Sequence, residues 1–221
     1  MINMSISSGK NLSLKSLPLI GIFGVIFYFL HIIIGTALYE GYNSFSQAIS
    51  DLTAASSLSR QIASIFSMLY GICSVIFTVG LFIYFRGKLN KIITVAFCIF
   101  CLMNIISFVG YTFFPLTEAG YAGTFQDVMH MIVTVLVVIF TIISIILFSI
   151  GFFRTRQYRS IGIISLCTLV LLITGAMLIN ILPSEYFGVA QRINVFSVLI
   201  FTGVLAVFMY KYMNREYIGK N

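Results

Sequence analysis

Six long apolar runs joined by short polar connections constrain this chain more than any other feature. They lie at about Leu17 to Tyr39, Gln61 to Phe85, Ile92 to Phe114, Val128 to Phe153, Ser160 to Leu182 and Arg192 to Tyr210. A helix that crosses a bilayer needs about 20 apolar residues. Inside lipid, each backbone amide and carbonyl must find its partner within the spanning structure, which leaves helices as the solution for runs of this kind. Only 9% of the residues are charged, and mean hydropathy is +1.07. A soluble domain carries about a quarter charged residues, so lipid must solvate this chain. The predicted fold is all-α: one six-helix transmembrane bundle over residues 17–210, with short tails at 1–16 and 211–221. The first run is too long for a signal-peptide core and no small-residue cleavage site follows it, so it reads as an uncleaved span.

Proline and charge set the boundaries. Pro18 sits in an opening turn, where proline is tolerated, and Pro115 and Pro183 stop the third and fifth spans. Of the 13 basic residues, only Arg60 and Arg192 fall on the side that receives the first, third and fifth connections. The other eleven lie in the tails or in the basic turns Arg86–Lys91 and Arg154–Arg159. With short loops the positive-inside rule applies, and both termini are expected in the cytoplasm. The net charge of +7 is therefore topological and not a nucleic-acid footprint. No phosphate-binding glycine loop, dinucleotide fingerprint or nucleic-acid motif is present. Cys73, Cys98, Cys101 and Cys167 all lie within apolar runs and read as inert thiols, the Cys98/Cys101 pair included.

Polar residues are lopsided across the bilayer. His31, Asn104, His130, Asn180 and Asn194 fall in the outer halves of the spans, whereas the inner halves hold little beyond hydroxyls. A hydroxyl bonds back to its own helix, but an amide or imidazole in hydrocarbon needs other partners. The expectation is a polar cavity open to the exterior and closed toward the cytoplasm. Two connections border it. Asn43 to Ser59 carries Phe45, Ile49 and Leu52 at helical spacing and reads as a short amphipathic helix at the interface. Pro115 to His130 brings Glu118, Asp127 and His130 together. Asp127 and His130, spaced i, i+3, share a helix face. They read either as a carboxylate orienting a base or as an N-cap beside an interfacial histidine. His31 and one of Asp51, Glu118 or Glu185 would have to complete a metal site; nothing in the spacing demands one, and no metal or cofactor is assigned. Arg60 and Arg192 read as partners of Asp51 or Asp127, or as anion contacts. Ligand-binding candidates are therefore Asp51, Arg60, Arg192, His31, Asn104 and Asn180; catalytic candidates are Asp127, His130 and Ser50.

The outer connections share a loose pattern. Glu40-Gly41-Tyr42, Glu118-Ala119-Gly120-Tyr121 and Glu185-Tyr186-Phe187-Gly188 each place an acid near a glycine and an aromatic residue. Arg60-Gln61, Gln126-Asp127 and Gln191-Arg192 then open the next spans. Gln47-Ala48-Ile49-Ser50-Asp51-Leu52, Phe114-Pro115 followed by Asp127 and His130, and Phe187-Gly188 leading to Arg192 resemble an uncharacterised prokaryotic multi-pass family, domain of unknown function 998. In that family Leu-Gly typically follows the first acid; here it is Leu52-Thr53. The resemblance implies a six-span protein of the bacterial plasma membrane, with no assigned activity. It marks Asp51, His130 and Arg192 as residues to test. Three functions remain open: a binder of a small polar molecule or lipid headgroup, an interfacial lipid hydrolase using Asp127, His130 and Ser50, and a structural subunit of a membrane complex. The partners that follow are the bilayer and such a ligand, with a homo-oligomer compatible. Gly71, Ser74 and Thr78 on one helix face would suit packing against a partner helix.

Overall fold

The computed structural model describes residues 16–218, so most of the first tail and the last three residues lie outside it; the side chains of 216–218 are also not described. Its helices are α1 (Leu17–Leu38), α2 (Arg60–Phe85), α3 (Lys91–Phe113), α4 (Phe125–Phe153), α5 (Arg159–Ile181) and α6 (Phe187–Ile218). These account for six segments long and apolar enough to cross a membrane. No strand forms among the described residues. The chain is a multi-pass membrane protein. Observed ends fall within a few residues of the predicted spans, except in α6, which begins five residues earlier and continues through Lys211 to Ile218.

Local chemistry explains the ends. Asn90 caps α3 by accepting from the Ile93 amide at 3.0 Å, and its Nδ2 donates to the Gly151 carbonyl at 2.8 Å. One side chain thus starts α3 and fixes the turn to the end of α4. Thr124 caps α4, with Asp127 completing a capping box. Arginines and lysines punctuate the opposite ends.

Each helix packs on its neighbours in sequence, and α6 closes the ring on α1. The basic half is filled with rings: Phe77, Phe85, Phe97, Phe100, Phe148, Phe152 and Phe201 are fully buried. They meet edge-to-face or stacked, as in Phe97–Phe148 at 4.9 Å and Phe85–Phe97 at 5.3 Å. In lipid the hydrophobic effect does not favour helix association, so this dense contact between rings supplies it. Glycine lets the helices approach: Gly21 faces Phe77, Gly24 faces Cys73 and Gly35 faces Leu52. The small-residue face of α2 is used in the same way. Gly71 lies against Phe108, and Ser74 and Thr78 are buried within the monomer, which accounts for that stripe without a partner. Outward, isoleucines such as Ile33 and Ile83 are exposed on the faces that meet lipid. The four cysteines are free thiols, and Cys98 is exposed.

Between α1 and α2 the structure forms a short 3₁₀ helix over Ile49–Thr53, flanked by turns. Ile49 and Leu52 are buried while Phe45 stays exposed, so the segment packs down onto the bundle. The reason is tertiary: its backbone groups are taken by the other two connections at the same end.

Candidate functional site

Those bonds build a strap across the ends of the helices, using residues 39–59. The Ala55 amide donates to the Leu116 carbonyl at 2.7 Å and the Ser56 amide to Thr117 at 3.2 Å. The Val189 amide donates to the Phe45 carbonyl at 3.1 Å, and the Ile49 amide to Gln191 Oε1 at 2.8 Å. Asp51 is buried and joins two connections: Oδ2 accepts from the Ala48 amide at 3.1 Å, Oδ1 from the Gly120 amide at 3.0 Å. Gly120 can present that amide because its φ of +88° suits glycine. The strap lies over the bundle and seats Leu52 against Gly35 and α2.

Arg192 clamps the strap from α6. Its Nη1 donates to the carbonyls of Ser44 at 2.6 Å, Gln47 at 3.0 Å and Gly188 at 2.9 Å. Its Nη2 donates to the Tyr42 hydroxyl at 2.6 Å, and that hydroxyl donates to the Ala48 carbonyl at 2.8 Å. The expected partner was a carboxylate; the observed partners are carbonyls. The planar fork reaches several acceptors that a single point charge would not. Burial raises the Tyr42 hydroxyl above its ordinary value, and the Arg192 guanidinium opposes that rise. Arg60 stays exposed, with only the Ala55 carbonyl at 3.4 Å.

Asp127 and His130 share a face but not a bond. The Asp127 carboxylate accepts from the Thr117 amide at 2.8 Å, the Thr124 amide at 3.1 Å and the Thr124 hydroxyl at 3.0 Å. It caps α4 and folds the 114–124 connection. His130 Nδ1 lies 2.8 Å from the Phe114 carbonyl. A carbonyl only accepts, so Nδ1 carries a proton. Ser50 is half-buried, and its carbonyl accepts from the Thr53 hydroxyl. Among the described residues no three His, Cys, Asp or Glu side chains come together as metal ligands would.

Beneath the strap the interior is aromatic and polar. His31 is 3% exposed, and neither ring nitrogen has a hydrogen-bond partner among the described residues. Tyr28 meets it edge-on at 5.4 Å and meets Tyr70 of α2 at 4.7 Å. On the facing helices, the Tyr111 ring lies 4.8 Å from that of His130, and its hydroxyl donates to the Thr134 hydroxyl at 3.1 Å. Tyr28, Tyr70 and Tyr111 lie within electrostatic range of one another. Asn104 is buried, yet its Nδ2 donates to the Phe100 carbonyl of its own helix at 2.8 Å. Asn180 does the same with Ala176 and is exposed. Asn194 Oδ1 is buried against Gly175 and has no partner among the described residues.

The sequence model of a family described as a protein of unknown function, DUF998, matches residues 22–208. The chain belongs to this family. No curated protein and no solved structure matches it. In this DUF998 chain the residues that carried the resemblance gather at one end: Asp51, Asp127, His130 and Arg192 all hold the cap, and Asp51 lies within electrostatic range of His130 and Arg192. Gln126 and Gln191, from the loose repeat, brace connections as well; Gln126 Nε2 donates to the Phe113 carbonyl at 2.8 Å, whereas Gln61 is exposed. Tyr28 and Tyr70 lie inside apolar runs, where a single tyrosine carries no motif, so neither is among the candidates read from the sequence. The i, i+3 spacing of Tyr28 and His31 was the available signal.

Asp51 gives a pH-dependent test of the cap. Burial lifts its carboxyl above the usual carboxylate range, against the Gly120 and Ala48 amides and the His130 and Arg192 charges. Its contribution to stability is fully present below about pH 4, the unfolded value, and is lost as pH rises through the raised folded value. The Asp51→Asn variant has no such loss. Its stability relative to the parent should rise across that window in unfolding experiments, and a difference that stays flat with pH removes burial as the dominant influence.

Proposed function

We propose that this chain is a binding protein of the bacterial plasma membrane, with its basic ends in the cytoplasm. It takes a small polar molecule or lipid headgroup between the outer halves of its helices, under the strap. One observation carries the reading: among the described residues, His31, enclosed by protein, has no partner for either ring nitrogen. A neutral imidazole always carries one N–H, and leaving a buried polar group unsatisfied costs about 1–3 kcal/mol. Phenylalanine or leucine would cost nothing comparable at this depth. Such a group is retained where something else bonds to it, and Tyr28 and Tyr70 add hydroxyls to the same wall. The ligand chemistry that fits is neutral and both donating and accepting, such as a hydroxyl or amide. The strap then acts as the lid of the chamber. Asp127 and His130 are bonded elsewhere, which gives a lipid hydrolase no support.

His31→Leu separates a ligand contact from a structural one. With ligand stripped, the variant should unfold at the same temperature as the parent or higher, because an apolar group replaces an orphaned polar one. Native mass spectrometry of gently solubilised protein should show a small molecule or lipid retained by the parent and lost from the variant. A variant that is destabilised yet keeps the same bound mass would defeat the proposal.

A further inference from the structure

The basic end of the bundle holds an open cavity of 380 Å³, lined by Lys88, Gln157, Tyr158, Tyr212 and Arg215. That volume falls within the roughly 300–1,000 Å³ of small-molecule sites. The lining residues come from three elements: the turn after α2, the 3₁₀ turn Arg156–Tyr158 that precedes α5, and the last turns of α6. Among the described residues they supply two cations, one amide and two phenols.

The charge rule that orients membrane proteins counts lysines and arginines; it does not require them to converge on a hollow. Here they converge on a fixed floor. Tyr212 packs against Phe85 at 5.0 Å, Tyr158 at 6.0 Å and Phe208 at 6.1 Å. Lys88 Nζ is held 3.7 Å from the centre of the Tyr84 ring. Arg215 reaches the cavity because α6 runs on past its apolar stretch. Lys88 and Arg215 thus line one hollow, and Glu216 is the acid next to Arg215 in sequence. Such a field concentrates anions, and a guanidinium beside an ammonium and hydroxyls matches the oxygens of a phosphate.

We infer that this cavity binds a phosphate-bearing anion, either the headgroup of an anionic phospholipid or a soluble phosphate ester. The test uses the full chain in detergent with two probes, dioleoylphosphatidylglycerol in mixed micelles and glycerol 3-phosphate in solution. Native mass spectrometry and the thermal midpoint report binding. Phosphatidylglycerol retained well above phosphatidylcholine identifies a headgroup site, and binding of glycerol 3-phosphate identifies a soluble ester. Lys88→Gln with Arg215→Gln should weaken the bound probe by about tenfold per lost charge-assisted contact. Lys91→Gln with Arg154→Gln removes the same charge outside the cavity and should leave binding unchanged. Arg215→Gln alone reads the site without disturbing the Lys88–Tyr84 contact. Failure of both probes to bind, equal retention of phosphatidylcholine, or equal weakening by the two double variants overturns the inference.

Discussion

Gly188→Ala is expected to lift the strap from α6 and to lower the thermal midpoint of the solubilised protein. A Cβ at Gly188 would meet the Gln47 carbonyl oxygen at 2.5 Å, the Ser44 carbonyl oxygen at 2.6 Å and Arg192 Nη1 at 2.7 Å. Two of these three atoms are backbone and cannot swing aside as a side chain would. They are also the acceptors that receive the guanidinium, so relieving the clash breaks the clamp. Overpacking of this kind costs about 1–3 kcal/mol, sometimes more. For a domain near this size, 1 kcal/mol moves the midpoint by about 2–4 °C. The sign is the discriminating feature. Gly188 lies in the first turn of α6, where alanine alone would not destabilise the helix. A fall in midpoint with new protease cleavage within residues 43–59 supports the close approach, and a rise with unchanged protease resistance refutes it.

Arg192→Met removes the same clamp from the other side. The side-chain stem is kept, while the carbonyls of Ser44, Gln47 and Gly188 and the Tyr42 hydroxyl lose their donor. Hydrogen bonds to a charged group contribute about 1.5–3 kcal/mol each. They are not additive, and carbonyls near the rim recover water, so a net loss of about 3 kcal/mol is expected. Hydrogen exchange locates it. The Val189 and Ile49 amides, which tie α6 to the strap, should lose protection before amides in the Phe-rich half do. Arg192→Lys should recover part of the stability, since an ammonium donates to some of these oxygens but lacks the planar fork. If Arg192→Met keeps full protection at both amides, the strap is held by something else.

The two variants explain why the cap residues looked functional in the sequence. Asp51, Asp127 and Arg192 are charged groups beside apolar spans, a placement that ordinarily marks ligand or ion pathways. Each instead spends its hydrogen bonds within the cap, mostly on backbone amides or carbonyls. Asp127 next to His130 at i, i+3 reads equally as a catalytic pair or as a cap. The choice depends on where Thr117, Thr124 and Phe114 fold back, which the spacing does not encode. Arg192 read as the partner of an acid because acids outnumber arginines at that end; the carbonyls that take it belong to a segment about 145 residues away.

What the sequence determined alone is everything set by runs of consecutive residues. Hydropathy over about 20 residues placed six helices, proline ended two of them, and the division of lysine and arginine gave the expected orientation, because these are sums over local stretches. Tertiary structure alone decided that the ring closes α6 onto α1. It turned the 43–59 segment into a strap with a short 3₁₀ helix, and it enclosed His31 without a partner beneath it. Those outcomes hang on contacts such as Asp51 with Gly120 and Arg192 with Ser44, which exist only after distant helices have packed. A polar group's role is fixed by which partner reaches it, and no local pattern carries that information.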